Sequence, residues 1–151
     1  MDREELLRLY AGGEKDFTGQ SFGGLRDQSI RGGIYRETDF SEEEFDGASF
    51  REVDLSFADF RHVQMYESSF RKCYMEGVNF SYAVFGQVSF IKTDLTRAIF
   101  RNATLSEFGF YQVNLSYADL SGSREFILGR CENVIFYETI IPDGSICTDS
   151  V

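Results

Sequence analysis

One histidine, one proline, three cysteines and no long apolar run are all that this 151-residue sequence offers of several informative residue types, and each shortage excludes something. His62 stands alone, and no Ser or Cys nucleophile lies at a spacing that would place it beside the imidazole, so no catalytic dyad can be assembled. Cys73, Cys131 and Cys147 are odd in number and scattered, without the paired spacing of a disulfide framework or a zinc site. Reduced thiols are expected. A single proline, with 42% apolar and 16% aromatic content, suits one folded domain better than a disordered or multidomain chain. No stretch approaches the ~20 apolar residues of a membrane span, and the acidic opening Met1 to Glu5 lacks the apolar run of a signal peptide. The expected location is therefore cytoplasmic, with no membrane contact. Basic residues are outnumbered, and a formal charge of -10 with a pI near 4.5 argues against direct binding of nucleic acid or anionic lipid.

What the sequence does have is a period of five. Every fifth residue from Leu25 to Leu120 is large and apolar, without exception. Two places before each of these centres sits a mostly small residue, as at Ala48, Val53, Ala58, Val63, Ala83, Ala98 and Ala118. The other three positions are mostly polar. A period of five matches neither the 3.6 of a helix nor the 2.0 of a continuous strand. The small residue and the centre are two apart, which puts both on one face of a short extended segment; the following two residues must then turn a corner. Outward residues set the number of sides. Ser29, Ser49, Ser69 and Ser89 recur every twenty residues, as do Arg31, Arg51 and Arg71, whereas Asp39, Asp59 and Asn79 lie halfway between. Four pentapeptides therefore make one turn of a four-sided, all-β solenoid. Ile30, Phe50, Phe70, Phe90 and Phe110 would line one wall and Phe40, Phe60, Phe80, Phe100 and Leu120 the opposite one, as offset aromatic ladders that leave no room for a ligand. From residue 25 to about 141 the spacing predicts roughly six coils and a rod about 28 Å long.

Both ends of such a rod are open edges that need covering. At the front, residues 1–24 are expected to form a capping helix and an irregular lead-in. Asp2 and Glu5 have capping-box spacing, Leu6, Leu7 and Tyr10 supply an apolar face, and Gly12-Gly13 stops the helix before Phe17 and Phe22. At the back, the register slips by one through residues 121–125, and weaker centres resume at Phe126, Cys131, Phe136 and Ile141. Pro142 ends the pairing. Residues 142–151 form a polar tail that either caps the last coil or hangs free. In the second case Ile135, Phe136, Ile140 and Ile141 offer an apolar end for an end-to-end homodimer.

Repeats such as Ser56-Phe57-Ala58-Asp59-Phe60 and Ser116-Tyr117-Ala118-Asp119-Leu120 resemble the pentapeptide-repeat family, whose consensus is A(D/N)LXX. The resemblance covers about four fifths of the chain and implies a right-handed quadrilateral β-helix. The lead-in from Leu6-Leu7 to Asp16-Phe17 is similar to that of stand-alone cyanobacterial members. For most members the family implies no known activity. One branch consists of DNA-mimicking inhibitors of DNA gyrase, acidic dimers joined through their C-terminal coils. This chain departs from the consensus with Phe at most centres and with Glu43 and Phe108 at small-residue corners; Phe108 is expected to bulge its coil.

No cofactor, metal or catalytic residue is expected. Cys73 falls in a small inward slot and Cys131 at a centre, so both read as packing residues. Residues Glu42 to Glu44 with Asp46 read as a solvated acidic corner rather than a metal cluster. The candidate interaction surface is a basic wall carrying Arg31, Arg51, Arg71, Lys72 and Lys92, set beside an acidic wall carrying Glu43, Glu44 and Asp46. Stacking of like residues also arises from repeat duplication alone. The expected function is that of a non-enzymatic scaffold or regulator binding an unknown protein partner. The alternative is a DNA mimic, but residues 23–122 hold 15 acids and 10 bases, a net of -5, against about 16 charges on duplex DNA of the same length.

Overall fold

The structure, a computed structural model, describes residues 1–151. The chain winds as a four-sided β-solenoid behind one N-terminal helix. Four faces follow one another in sequence: face A carries the centres Phe45, Met65, Phe85 and Leu105; face B carries Ile30, Phe50, Phe70, Phe90 and Phe110; face C carries Tyr35 to Leu115; face D carries Phe40 to Leu120. Faces A and B form parallel sheets. On face A, β2 (Glu44–Asp46), β4 (Gln64–Tyr66), β6 (Val84–Gly86) and β8 (Thr104–Ser106) pair in that order. On face B, β1 (Ser29–Arg31), β3 (Ser49–Arg51), β5 (Ser69–Arg71), β7 (Ser89–Ile91), β9 (Gly109–Tyr111) and β10 (Cys131–Glu132) form a six-stranded sheet. Ser29 pairs with Ser49, Ser49 with Ser69 and Ser69 with Ser89, so the twenty-residue period is the pairing register itself.

Faces C and D make single bridges instead of strands, and the residue before each centre explains the difference. On those faces it is mostly Asp or Asn, whose side-chain oxygen accepts the N–H two residues on: Asp59 from Arg61 at 2.9 Å, Asn79 from Ser81 at 3.0 Å, Asp94 from Thr96 at 2.9 Å, and Asp119 from Ser121 at 2.9 Å. Such Asx turns bend the backbone directly after the centre. On faces A and B, where Ser, Gln, Val or Thr mostly precedes the centre, the extended segment runs for three residues. At each corner from Ile30 to Leu120 the second residue after the centre has positive φ, and fifteen of these residues are not glycine. That conformation costs roughly 1–2 kcal/mol for an L-residue. The ladder of coil-to-coil bonds, among 98 backbone hydrogen bonds in all, holds them there.

The core is two crossed stacks of phenyl rings. Phe50, Phe70 and Phe90 lie near-parallel at 4.9 and 5.0 Å on face B, and Phe40 and Phe60 at 4.7 Å on face D. Across the interior the two stacks meet edge to face, Phe60 against Phe70 at 6.0 Å and 89°. Thirty-eight buried apolar residues form one continuous cluster.

Phe17 and Phe22 already belong to this core. Phe17 stacks on Tyr35 and Phe22 on Phe40, with Asp16 bridging Ile34 and Ser21 bridging Asp39. The lead-in is thus a coil with eighteen-residue spacing to the next one instead of twenty. Above it sits α1 (Arg3–Ala11), capped by the Asp2 carboxylate accepting the Glu5 N–H at 2.9 Å. Its packed side is Leu6, Leu9 and Tyr10; Leu7, expected on that side, is 47% exposed because Leu6 and Tyr10 set the buried stripe one residue away. No helix is long and apolar enough to cross a membrane.

The C-terminal end locates the register slip and corrects one expectation. Arg124 still bridges Thr104 at the twenty-residue spacing, while Cys131 pairs with Phe110 at twenty-one. The extra residue therefore lies between Arg124 and Cys131, a segment that opens with Glu125 at positive φ and contains the 3-10 turn Leu128–Arg130. Phe108 does not bulge its coil: β9 stays in register with β7, and Phe108 is buried under Phe126, which stacks on it at 5.3 Å and 14°. The tail folds back. Strand β11 (Thr139–Ile140) pairs antiparallel with β12 (Ile146–Cys147), and Val151 exchanges backbone hydrogen bonds with Val134.

Candidate interaction surface

The filled interior leaves only the outward positions to meet another molecule, and the structure sorts the candidate residues into used and unused groups. On face A, Glu43 occupies a corner slot where most coils place a small residue. Its carboxylate turns toward the preceding coil and accepts the Gly24 N–H at 2.8 Å. Glu44 and Asp46, one residue either side of Phe45, share Arg26 at 3.1 and 3.7 Å. Much of the acidic wall is therefore bonded within the molecule. No group of three or more His, Cys, Asp or Glu is arranged to hold a metal ion.

On face B, Arg31, Arg51 and Arg71 stand in one column, aligned by the strand register. Glu52 sits between the first two and lies 3.7 Å from each. The Arg51 Nε is shut off from solvent without a hydrogen-bond partner. Arg71, Lys72 and Lys92 are exposed, with no carboxylate within 4 Å. The basic wall thus divides into a paired upper half and an unpaired lower half.

Faces C and D show the same economy. Arg61 grips Asp59 at 2.6 Å and Arg101 grips Asp119 at 2.5 Å. Burial works to raise the Asp59 and Asp119 pKa values, but hydrogen bonds from Arg61 and from Ser121 and Arg101 outweigh it, and both stay below the ordinary carboxylate value. These carboxylates hold turns together.

The cysteines are all free. Burial pushes the Cys73 thiol up to about 11 and the Cys131 thiol up to about 12, so neither is a thiolate at neutral pH. Cys73 donates to the Phe50 carbonyl from its inward slot. His62 lies on the surface with its ring stacked on Tyr82 at 5.1 Å.

The residues read as a dimer end are placed differently from one another. Ile135 is exposed, Ile140 and Ile141 are half-covered, and Phe136 is buried inside the last coil. They do not form a bare apolar plate, because the returning tail pairs with this coil.

A column of rings at the corner between faces C and D escaped the sequence reading. Phe57 covers Gly77, Arg97 lies over the Tyr117 ring at 5.1 Å, and Tyr137 meets Tyr117 edge-on at 5.5 Å. Aligning the corner residues at the twenty-residue spacing would have shown it.

Comparison with known proteins bears on the same geometry. No curated protein matches the sequence with significance. Among solved structures, a trypsin-treated form of QnrB1, a plasmid-mediated fluoroquinolone resistance protein, is 18% identical with a TM-score of 0.67. The match covers 83% of this chain, which spans only 62% of the QnrB1 chain. A pentapeptide repeat protein from the thylakoid lumen of Arabidopsis thaliana is 20% identical over 80% of this chain and 77% of its own, with a TM-score of 0.41. HetL, a pentapeptide repeat protein involved in heterocyst differentiation regulation from Nostoc sp. strain PCC 7120, is 16% identical, covering 97% of this chain and 100% of its own, at a TM-score of 0.29. At 18% identity the QnrB1 likeness speaks for the fold alone. The model of the pentapeptide repeat region matches residues 43–120, more than half of the sequence and the stretch where the register never breaks, and on that match the chain belongs to the pentapeptide-repeat family.

Proposed function

We propose that the protein is a non-enzymatic scaffold that offers its outward faces to another protein. One observation carries this reading: from Phe40 to Leu120 every centre is fully buried in a single ring-filled core, so nothing inside is open to a substrate. Binding falls to the outward side chains, held on a rigid ladder of backbone bonds that pre-organises them at little entropic cost.

The test is affinity capture from an extract of the source organism with the intact chain and with variants altered on one face at a time. A partner retained by the wild type, lost on changing one face and kept on changing the opposite face, supports the scaffold. Retention indifferent to every face, or turnover of a small molecule, overturns it.

The DNA-mimic alternative has less support. A mimic needs free anions in a regular array. Here Asp54, Asp59, Asp94 and Asp119 close their own turns, and Glu43, Glu44 and Asp46 are occupied by Gly24 and Arg26.

A further inference from the structure

Between residues 26 and 101 the chain has ten basic residues, and seven of them reach a carboxylate within 4 Å: Arg26, Arg31, Arg36, Arg51, Arg61, Arg97 and Arg101. The other three are neighbours. Arg71 and Lys72 lie on one coil of face B and Lys92 on the next, where the Lys72 N–H donates to the Ile91 carbonyl at 2.8 Å. In a chain with 25 acidic residues, three adjacent cations without partners are conspicuous. The corner column accounts for the two lysines. Its members recur every twenty residues, and Glu52, the one acid in reach of Lys72 along that column, lies beside Arg31 and Arg51. Beyond Lys92 the column continues with Gln112 and then Asn133, which are neutral.

Lys92 also lines the groove of largest volume on the molecule, about 550 Å³, at the corner between faces B and C. One rim is Lys92, Gln112 and Asn133; the other is Asp94, Asn114 and the exposed Ile135. Thr93 in the floor turns its hydroxyl inward, its one proton shared between the Phe70 and Ile91 carbonyls. Asp94 binds the N–H and hydroxyl of Thr96 through one oxygen, which ties it to its own turn. The Asn114 carbonyl accepts the Ser116 N–H and leaves the amide NH2 unused. Gln112 and Asn133 are exposed and make no side-chain hydrogen bond within the molecule.

We propose that this groove, with Lys72 one coil beyond its Lys92 end, seats an extended acidic segment of a protein partner. Lysine ammonium groups on successive coils suit carboxylates carried along a strand, and side-chain amides suit the donors and acceptors of a peptide backbone. Duplex nucleic acid fits worse. Its unbroken phosphate array would extend past the three free cations onto Glu52 and Asp54, and the surrounding net charge is negative.

The inference rests on the scaffold reading, and its test is separate. Fluorescence anisotropy with the full chain would use labelled decaglutamate, with decaglutamine and inorganic polyphosphate as further probes. Decaglutamate should bind at low salt and weaken as salt rises, decaglutamine should not bind, and polyphosphate should bind no better than the peptide. Combined Lys72→Glu and Lys92→Glu should weaken decaglutamate binding by about tenfold or more, while Arg3→Glu, on the far end, leaves it unchanged. An unaltered melting curve for the double variant shows that the fold survives. Absence of decaglutamate binding, equal binding by the double variant, or binding of polyphosphate in preference to peptide overturns the proposal. If the groove fails while face-dependent capture from extract persists, the scaffold stands and the groove does not.

Discussion

Phe57 lies directly over Gly77, one coil further along the corner between faces C and D: a Cβ added at residue 77 would stand 2.6 Å from two carbons of the Phe57 ring. Gly77 has φ 65°, and Gly47, at a corner with open space around it, has φ 72°. The two separate backbone strain from contact. Gly47→Ala should cost roughly 1 kcal/mol, the conformational term alone. Gly77→Ala should cost more, because the ring must leave as well, and Phe57→Ala in the same chain should restore the difference. Equal losses at the two glycines in denaturant melts would show that the ring does not rest there.

Tyr35 is the one centre between residues 30 and 60 with a hydroxyl, and that hydroxyl is buried without a hydrogen-bond partner. Burial accordingly pushes its pKa far up. Its ring fills the same kind of slot as the phenylalanines and stacks on Phe17. Tyr35→Phe should therefore raise stability, by about 1 kcal/mol, since an unsatisfied buried group is removed with little change in shape. A loss of stability in the melting curve would mean that the hydroxyl is bonded in solution.

The returning tail occupies the edge that a second copy would need for end-to-end pairing. Val134 and Val151 bond reciprocally, and the Ile141 N–H donates to Ser145 at 2.9 Å. Light scattering should find a monomer, and Ile140→Lys should leave the mass unchanged. Deleting residues 143–151 should uncover the edge and produce association that rises with concentration. A dimer of the full chain that Ile140→Lys disperses would contradict this.

Where the free charge lies also predicts that the protein does not inhibit DNA gyrase at stoichiometric concentration. Face B carries Arg71, Lys72 and Lys92 unpaired, and the carboxylates of the other faces are largely occupied by their own turns or by arginines. A supercoiling assay decides. Salt-sensitive inhibition at about one protein per enzyme, lost when Glu43, Glu44 and Asp46 become Ala, would favour the DNA mimic instead.

The parts of this molecule that could be read in advance are those that repeat. Period five placed Phe50, Phe70 and Phe90 in one stack, and period twenty gave the pairing of Ser49 with Ser69, because inward and outward positions in a solenoid depend on spacing alone. The same logic failed wherever a side chain acts across coils. That Glu43 would reach back to Gly24, that Arg26 would take up both Glu44 and Asp46, and that Phe126 would settle on Phe108 depend on rotamers and on a one-residue insertion with no signature in the repeat. The tail was open for a related reason: Ile146 pairs with Ile140 through backbone atoms, on which the polar sequence around it is silent. For the surface, the walls could be listed but not the state of their charges, since pairing between Glu52 and two arginines is a matter of distance.

The solenoid divides into a ring-filled inside and a variable outside, and two adjacent residues test that division most directly. Phe70 is fully buried between Phe50 and Phe90, and Arg71 is exposed without a partner. In denaturant melts Phe70→Ala should cost ~3–5 kcal/mol by opening a cavity in mid-stack, whereas Arg71→Ala should cost less than about 0.5 kcal/mol. Similar losses for the two would contradict the account.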